Sequence, residues 1–384
     1  MKILFRLNSM VTGGIEKTLV TLTNILKKNN EIDVSLTKDI GEMRLMLDRD
    51  KINVFEDERL FGKKQSTGEE SGTVNKKPSK FKKIIKKILV FLGARELYRK
   101  LAFLKQKKLE KKYDVAICFR CLEYHSCKFV LKKVDAMKKI IFCHCDATMF
   151  DFKKKHLKAI SQYDKIVCVS KSCAEKFKGK YPQLKDKVEY LYNVVDVEEI
   201  ITKSHENLKL KRKDGKINII SVARLGEQKG FLRGLRAFKT LIENGVCNFC
   251  WHIIGDGPDR EKMEEFIKNN NMEDFVVMYG NQKNPYSYIK GADLFVLLSL
   301  HEACPVVYAE SMLLGVPVLS TDTCSAHEKL DNLGFVCGNN EDDMIVWLND
   351  LLQNPEKIEN KREKLKNYTY DNEKIIEKFY KLIK

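Results

Sequence analysis

The 384 residues contain no run of about 18 apolar residues, so no segment reads as a membrane-spanning helix. The opening MKILFRLNSM has neither a long apolar core nor a small-residue cleavage site and does not read as a secretion signal. Together these absences predict a chain that stays in the cytosol. The twelve cysteines form no disulfide-like framework: several, Cys168, Cys250 and Cys337 among them, sit inside apolar runs and read as buried thiols of a reducing compartment. The lysine-rich part of the chain lacks the interleaved aromatics of a stacking platform and any nucleic-acid reading motif, which argues against nucleic acid as a partner.

What is present is a long globular chain, 43% apolar, with enough residues for two domains of roughly 100 to 200 residues each. Its formal charge of +17 is concentrated. Between Lys76 and Lys112 stand 15 Lys or Arg against only Glu96 and Glu110, a local net charge of +13. There Phe81, Ile84, Ile85, Ile88, Leu89 and Leu92 fall on one helical stripe with lysines opposite. Such a basic amphipathic helix suits either an anionic lipid surface or packing on its own domain with solvated lysines.

The apolar pattern divides the rest. Residues 1–58 read as strand KILFRL, loop NSMVTGG, a helix with Ile15, Thr18, Leu19, Leu22, Ile25 and Leu26 on one face, then strands IDVSLT and INVF. A polar Gly/Ser-rich loop and the basic insertion, residues 60–112 together, interrupt the series, which resumes with YDVAICF, KIIFCH, KIVCVS and VEYLY. Residues 197–216 are polar without apolar periodicity and read as a linker. A second alternating series follows over 217–368, and NEKIIEKFYKLI forms a last helix within 369–384, able to pack back on the N-terminal domain. The predicted class is α/β, two doubly wound domains (1–196 and 217–368) with ligand in the crevice between them.

The segment HEACPVVYAE, residues 301–310, lies between the strands ADLFVLLS and VPVLST in a βαβ unit. Pro305 suits the first helical turn and Gly315 the position past the end, predicting a helix from Pro305 to Leu314. Its N-terminus would face the crevice, where free N–H groups and the macrodipole attract phosphate. Glu302 and Glu310 beside that end make sense as acceptors for hydroxyls, such as the vicinal diol of a ribose or hexose; the plainer reading is a pair of solvated acids.

Four stretches, TGGIEKT, SVARLGEQKGFLRGLRAF, IIGDGP and LSLHEACPVVYAESMLLGVPVLSTD, occur in an order and spacing that resemble the retaining glycosyltransferases of family 4, whose two-domain fold is called GT-B. The resemblance is close through the second half of the chain and holds in order and spacing through the first. It implies transfer of a sugar from a nucleotide diphosphate donor with retention of configuration and without a bound metal or other cofactor. It further implies that Arg224 and Lys229 hold the donor diphosphate, Glu310 the ribose and Glu302 the donor sugar. Gly13 and Gly14 would let the backbone approach phosphate or acceptor, and His144 in CHCD would stand beside the sugar hydroxyls. Asp256, Gly257, Ala303, Cys304, Pro305 and Val306 would complete the donor site, with catalysis carried by His144, Arg224, Lys229 and Glu302.

The implied partners are a nucleotide-sugar donor, a lipid-linked or other glycan acceptor, and the inner face of the cell membrane met through residues 76–112. Three departures stand out: Ala303 and Cys304 replace the family's glycine and aromatic, TCSAHE replaces its glycine pair after TD, and NVVD at 193–196 replaces its linker motif. None removes a charged group, but they motivate a competing reading as a non-catalytic subunit that binds a partner transferase or glycan. A zinc site from Cys118, Cys121, His125, Cys127, Cys143 and Cys145 is disfavoured, because the spacing fits no standard knuckle and no second C-x-x-C follows.

Overall fold

A computed structural model describes residues 1–11, 13–56, 103–104, 106–206 and 210–384. The basic stripe from Phe81 to Leu92 lies outside these residues. The N-terminal domain is built from β1 (Lys2–Leu7), α1 (Gly14–Leu26), β2 (Glu31–Leu36), β3 (Ile52–Glu56), β4 (Lys112–Cys118), α2 (Tyr124–Lys133), β5 (Asp135–Cys143), α3 (Lys154–Ile160), β6 (Lys165–Cys168), α4 (Lys171–Lys180) and β7 (Val188–Tyr190). Its seven strands are parallel and run β3-β2-β1-β4-β5-β6-β7. Strands covered on both faces are predominantly apolar, and β1 and β4 are accordingly almost wholly buried, with the buried Arg6 of β1 donating to the Ser35 and Thr37 hydroxyls.

The second series comprises α5 (Val197–Ser204), β8 (Ile217–Val222), α6 (Phe231–Glu243), β9 (Phe249–Ile254), α7 (Arg260–Asn269), β10 (Val276–Gly280), α8 (Tyr286–Lys290), β11 (Leu294–Leu297), α9 (Val306–Leu313), β12 (Val318–Thr321), α10 (Ala326–Leu330), β13 (Phe335–Cys337), α11 (Glu341–Gln353), α12 (Pro355–Leu365) and α13 (Asn372–Ile383). Its parallel sheet runs β10-β9-β8-β11-β12-β13. In each sheet the order reverses beside the first strand, between β1 and β4 and between β8 and β11. Those two switch points open crevices at the carboxyl ends of the strands, where open α/β sheets take ligands.

Residues 197–216, read from the sequence as a polar linker, begin with the helix α5. Asp196 caps α5 by accepting the Glu199 backbone N–H at 2.9 Å, and the buried Ile200 and Leu210 pack into the same apolar cluster as Phe295 and Tyr308. One buried isoleucine in an eight-residue helix is too few to show a period. The last helix, α13, lies on the N-terminal domain: Ile375, Phe379, Leu382 and Ile383 join the cluster of Ile3, Phe5 and Leu22. Four such side chains, each worth about 1.5–3 kcal/mol when buried, tie the end of the chain back across both domains.

Candidate active site

Two helix N-termini meet across the interdomain cleft. α1 begins at Gly14 and α9 at Val306, and a Cβ added to Gly14 would stand 3.7 Å from Val306 Cγ2. Gly13 is in extended backbone that any residue adopts, so its requirement is spatial: a Cβ there would lie 2.5 Å from Glu16 Oε2. Pro305 precedes α9 as its cap in extended conformation, one residue outside the predicted helix start.

Beside α9 the loop after β8 carries Arg224 and Lys229. Arg224 is exposed and has no ion pair among the described residues. Lys229 Nζ lies 2.5 Å from Glu302 Oε1, and that oxygen also accepts the Ser299 hydroxyl at 2.7 Å. Glu302 is nine-tenths buried, which requires such a cation. The loop is fastened to its neighbours by backbone bonds: Leu300 N–H donates to Gln228 O, and Gln228 Nε2 to His301 O, both at 2.8 Å.

Asp256 and Gly257 brace the same loop from β9. Leu225 N–H donates to Asp256 O at 3.0 Å, and a side chain on Gly257 would press within 2.1 Å of Leu225 O. The exposed Asp256 carboxylate accepts the Gly257 N–H at 2.7 Å. Ala303 O accepts the Cys173 thiol at 3.4 Å, and Cys304 O accepts Asn193 Nδ2 at 3.1 Å, so both departures from the family pattern touch the other domain through their carbonyls. Burial pushes the Cys304 thiol up to about 11, against the pull of nearby Lys329.

Glu310, buried on α9, is reached from the N-terminal domain. The Lys17 ammonium crosses the cleft to donate to Glu310 Oε1 and to the Tyr286 hydroxyl. Burial alone would lower the Lys17 pKa, but Glu310 and Tyr286 hold it above its ordinary value.

His144 follows β5, its ring 4.7 Å from that of Phe119 and 5.8 Å from that of Phe142. Burial first, and the Arg120 charge second, push its pKa down to about 3, so the ring is neutral. Its Nε2 is buried without a hydrogen-bond partner among the described residues. The Arg120 charge felt by this ring also acts on two acids that sequence reasoning missed. Glu16 and Glu123 each have a carboxyl raised from its ordinary value, first by burial, and Arg120 opposes the rise in both. Only Glu16, inside TGGIEKT, carried a signal.

The missed residue with the widest reach is Glu328, in TCSAHE. From α10 it caps α4 of the other domain, accepting the backbone N–H groups of Lys171 at 3.0 Å and Ser172 at 2.8 Å, the Ser172 hydroxyl at 2.6 Å and the Tyr192 hydroxyl at 2.6 Å. Burial raises its carboxyl, and those donors outweigh burial to leave it below its ordinary value.

The six residues weighed as a zinc set separate. Cys118 and Cys127 pair at 3.7 Å, and His125 packs its ring against Phe103. Cys121, Cys143 and Cys145 bring their sulfurs within 4.8 Å of one another, a set able to hold a metal ion. Contacts with Cys143 and Cys145, then burial, raise the Cys121 thiol well above its ordinary value. Among the described residues no helix is long and apolar enough to cross a membrane.

Comparison with known proteins bears on this geometry. Residues 202–372 match the family described as glycosyl transferases group 1. An uncharacterized glycosyltransferase of Methanocaldococcus jannaschii is 33% identical over 145 residues, 37% of this chain and 36% of the relative. The N-acetylgalactosamine-N,N'-diacetylbacillosaminyl-diphospho-undecaprenol 4-alpha-N-acetylgalactosaminyltransferase of Campylobacter jejuni is 31% identical over 171 residues, 44% of this chain and 45% of the relative. The chain thus spans less than half the length of these relatives. Among solved structures, Anabaena HepE in complex with UDP and glucose superposes with a TM-score of 0.69 at 16% identity, covering 99% of this chain and 98% of that one. TarM superposes with a TM-score of 0.67 at 12% identity, covering 100% and 98%. Residues 202–372 thus resemble the glycosyl transferases group 1, and the two facing Rossmann-like domains share the GT-B fold of these solved structures.

Proposed function

We propose that this protein is a retaining glycosyltransferase that moves a sugar from a UDP- or GDP-type donor to a lipid-linked or envelope glycan precursor in polysaccharide biosynthesis. The observation that carries the reading is the meeting of the α1 and α9 N-termini beside Lys229 and Arg224. A leaving nucleotide diphosphate gathers negative charge as the glycosidic bond breaks, and two cations with two positive helix ends match that charge where other enzymes use a metal ion. No bound metal or other cofactor is part of the proposal. Glu310 would take the ribose hydroxyls, Glu302 the sugar, and the neutral His144 a sugar hydroxyl, since its Nε2 is unpaired among the described residues. In a front-face reaction the acceptor hydroxyl attacks from the side of the leaving group and a diphosphate oxygen takes its proton, so no separate carboxylate base is needed. HepE with UDP and the C. jejuni enzyme of a diphospho-undecaprenol substrate support the donor and acceptor classes.

The isolated protein should release nucleotide diphosphate from at least one member of a panel of UDP- and GDP-sugars. No release across the panel, with partner binding intact, would favour the non-catalytic subunit. Membrane association is part of the same proposal, resting on the sequence pattern of residues 76–112. Changing Ile84 and Ile88 to Glu should free the protein from anionic vesicles while thermal stability stays near that of the parent. A large loss of stability would mean that the stripe is core.

A further inference from the structure

Glu310 is 5% exposed, and among the described residues Lys17 is the one partner of its carboxylate. A buried carboxylate that faced only neutral ribose hydroxyls would keep an uncompensated charge, which is costly. Lys17 removes that cost, and the cation comes from the opposite domain, one turn into the helix that follows Gly13 and Gly14. Tyr286, 3% exposed, fixes the ammonium from the other side through its hydroxyl and its ring, whose centroid is 4.7 Å away. An ammonium has three N–H donors. Glu310 and Tyr286 take two, which leaves one for a ligand oxygen at the ribose end of the donor.

We propose that Lys17 is a specificity-determining residue of the donor site, supplied by the N-terminal domain: it pairs with and aims the Glu310 carboxylate, and with it reads the ribose 2′- and 3′-hydroxyls. The ribose pocket then draws its charged pair from both domains. This inference rests on the nucleotide-sugar reading above and adds to it a residue and a selectivity, ribose over 2′-deoxyribose.

The test is titration calorimetry with UDP against 2′-deoxy-UDP and GDP against 2′-deoxy-GDP, on the full chain and on Lys17→Met, Lys17→Arg and Glu310→Gln. The parent should prefer the ribose form by roughly 10-fold or more, the size of a charge-assisted hydrogen bond. Lys17→Met should bring that ratio close to one and weaken binding of the ribose nucleotide. Lys17→Arg should restore part of it, and Lys17→Met combined with Glu310→Gln should lose little more than either alone, because the two act as a unit. A preserved ratio in Lys17→Met would overturn the inference and leave Lys17 a strut between domains, which a lowered melting temperature without ligand would register. Tighter ribose binding in Lys17→Met would overturn it too, marking Lys17 as a competitor of the ribose. A parent that binds none of the four nucleotides would sink the glycosyltransferase reading itself, whereas ribose selectivity that survives the loss of Lys17 sinks only this inference.

Discussion

Replacing Lys229 by alanine is expected to lower turnover by on the order of 10²-fold or more while donor affinity falls less, because the diphosphate charge it opposes grows in the transition state. Arg224→Ala should do the same to turnover, but the two variants should differ in stability. Arg224 is exposed and its loss strands nothing. Lys229 is the cation of a nine-tenths buried Glu302, which would be left with the Ser299 hydroxyl alone. Breaking a fully buried pair costs about 3–5 kcal/mol, and the 26% exposure of the Lys229 side chain puts the loss below that range. Adding Glu302→Gln to Lys229→Ala should recover stability and not turnover. Steady-state kinetics with EDTA or Mg²⁺, alongside urea unfolding, check all of this. Normal turnover in both single variants, or strict dependence on a metal ion, would remove these two residues from leaving-group stabilisation.

The contrast between Arg224 and Lys229 also marks what a sequence conveys. Both sit in one quoted motif, and their neighbourhood at the end of β8 follows from local pattern: a strand buried on both faces reads as a continuous apolar run, and the turn after it faces the switch point. Their pairing state does not follow, because Glu302 lies 73 residues on. The same holds more strongly between domains. Lys17 was legible only as a polar position on α1, and Glu328 only as part of an altered loop, since each finds its partners far off in sequence, 293 residues away for Lys17 and 136 or more for Glu328, through the way two separate sheets face one another. Local periodicity contains no term for that orientation. A short helix was lost for a different reason: α5 has one buried isoleucine, too few for a period of 3.6 to be counted.

A methyl group on Gly230 should cost far more stability than one on Gly315, although both glycines hold the left-handed backbone, at φ +70° and +73°. That conformation alone costs a non-glycine residue about 1–2 kcal/mol, which is the whole loss expected of Gly315→Ala, since a Cβ there meets nothing within 4 Å. At Gly230 the added Cβ would stand 1.9 Å from Leu298 O and 2.7 Å from Arg233 Nε. The carbonyl cannot simply move aside. It directly follows β11 and accepts two bonds from the buried Arg233, from Nε at 2.9 Å and from an Nη at 2.6 Å, so displacing it would leave donors of a buried guanidinium unpaired. Gly230→Ala is therefore expected to lose about 4 kcal/mol or more, in the range reserved for a backbone clash joined to a broken buried network. Because Gly230 both ends the turn bearing Lys229 and precedes α6, whatever fraction stays folded should also show turnover depressed as in Lys229→Ala. Urea unfolding of the two alanine variants side by side decides the matter: equal losses would show that the backbone angle, and not the approach to Leu298, is what demands glycine at 230.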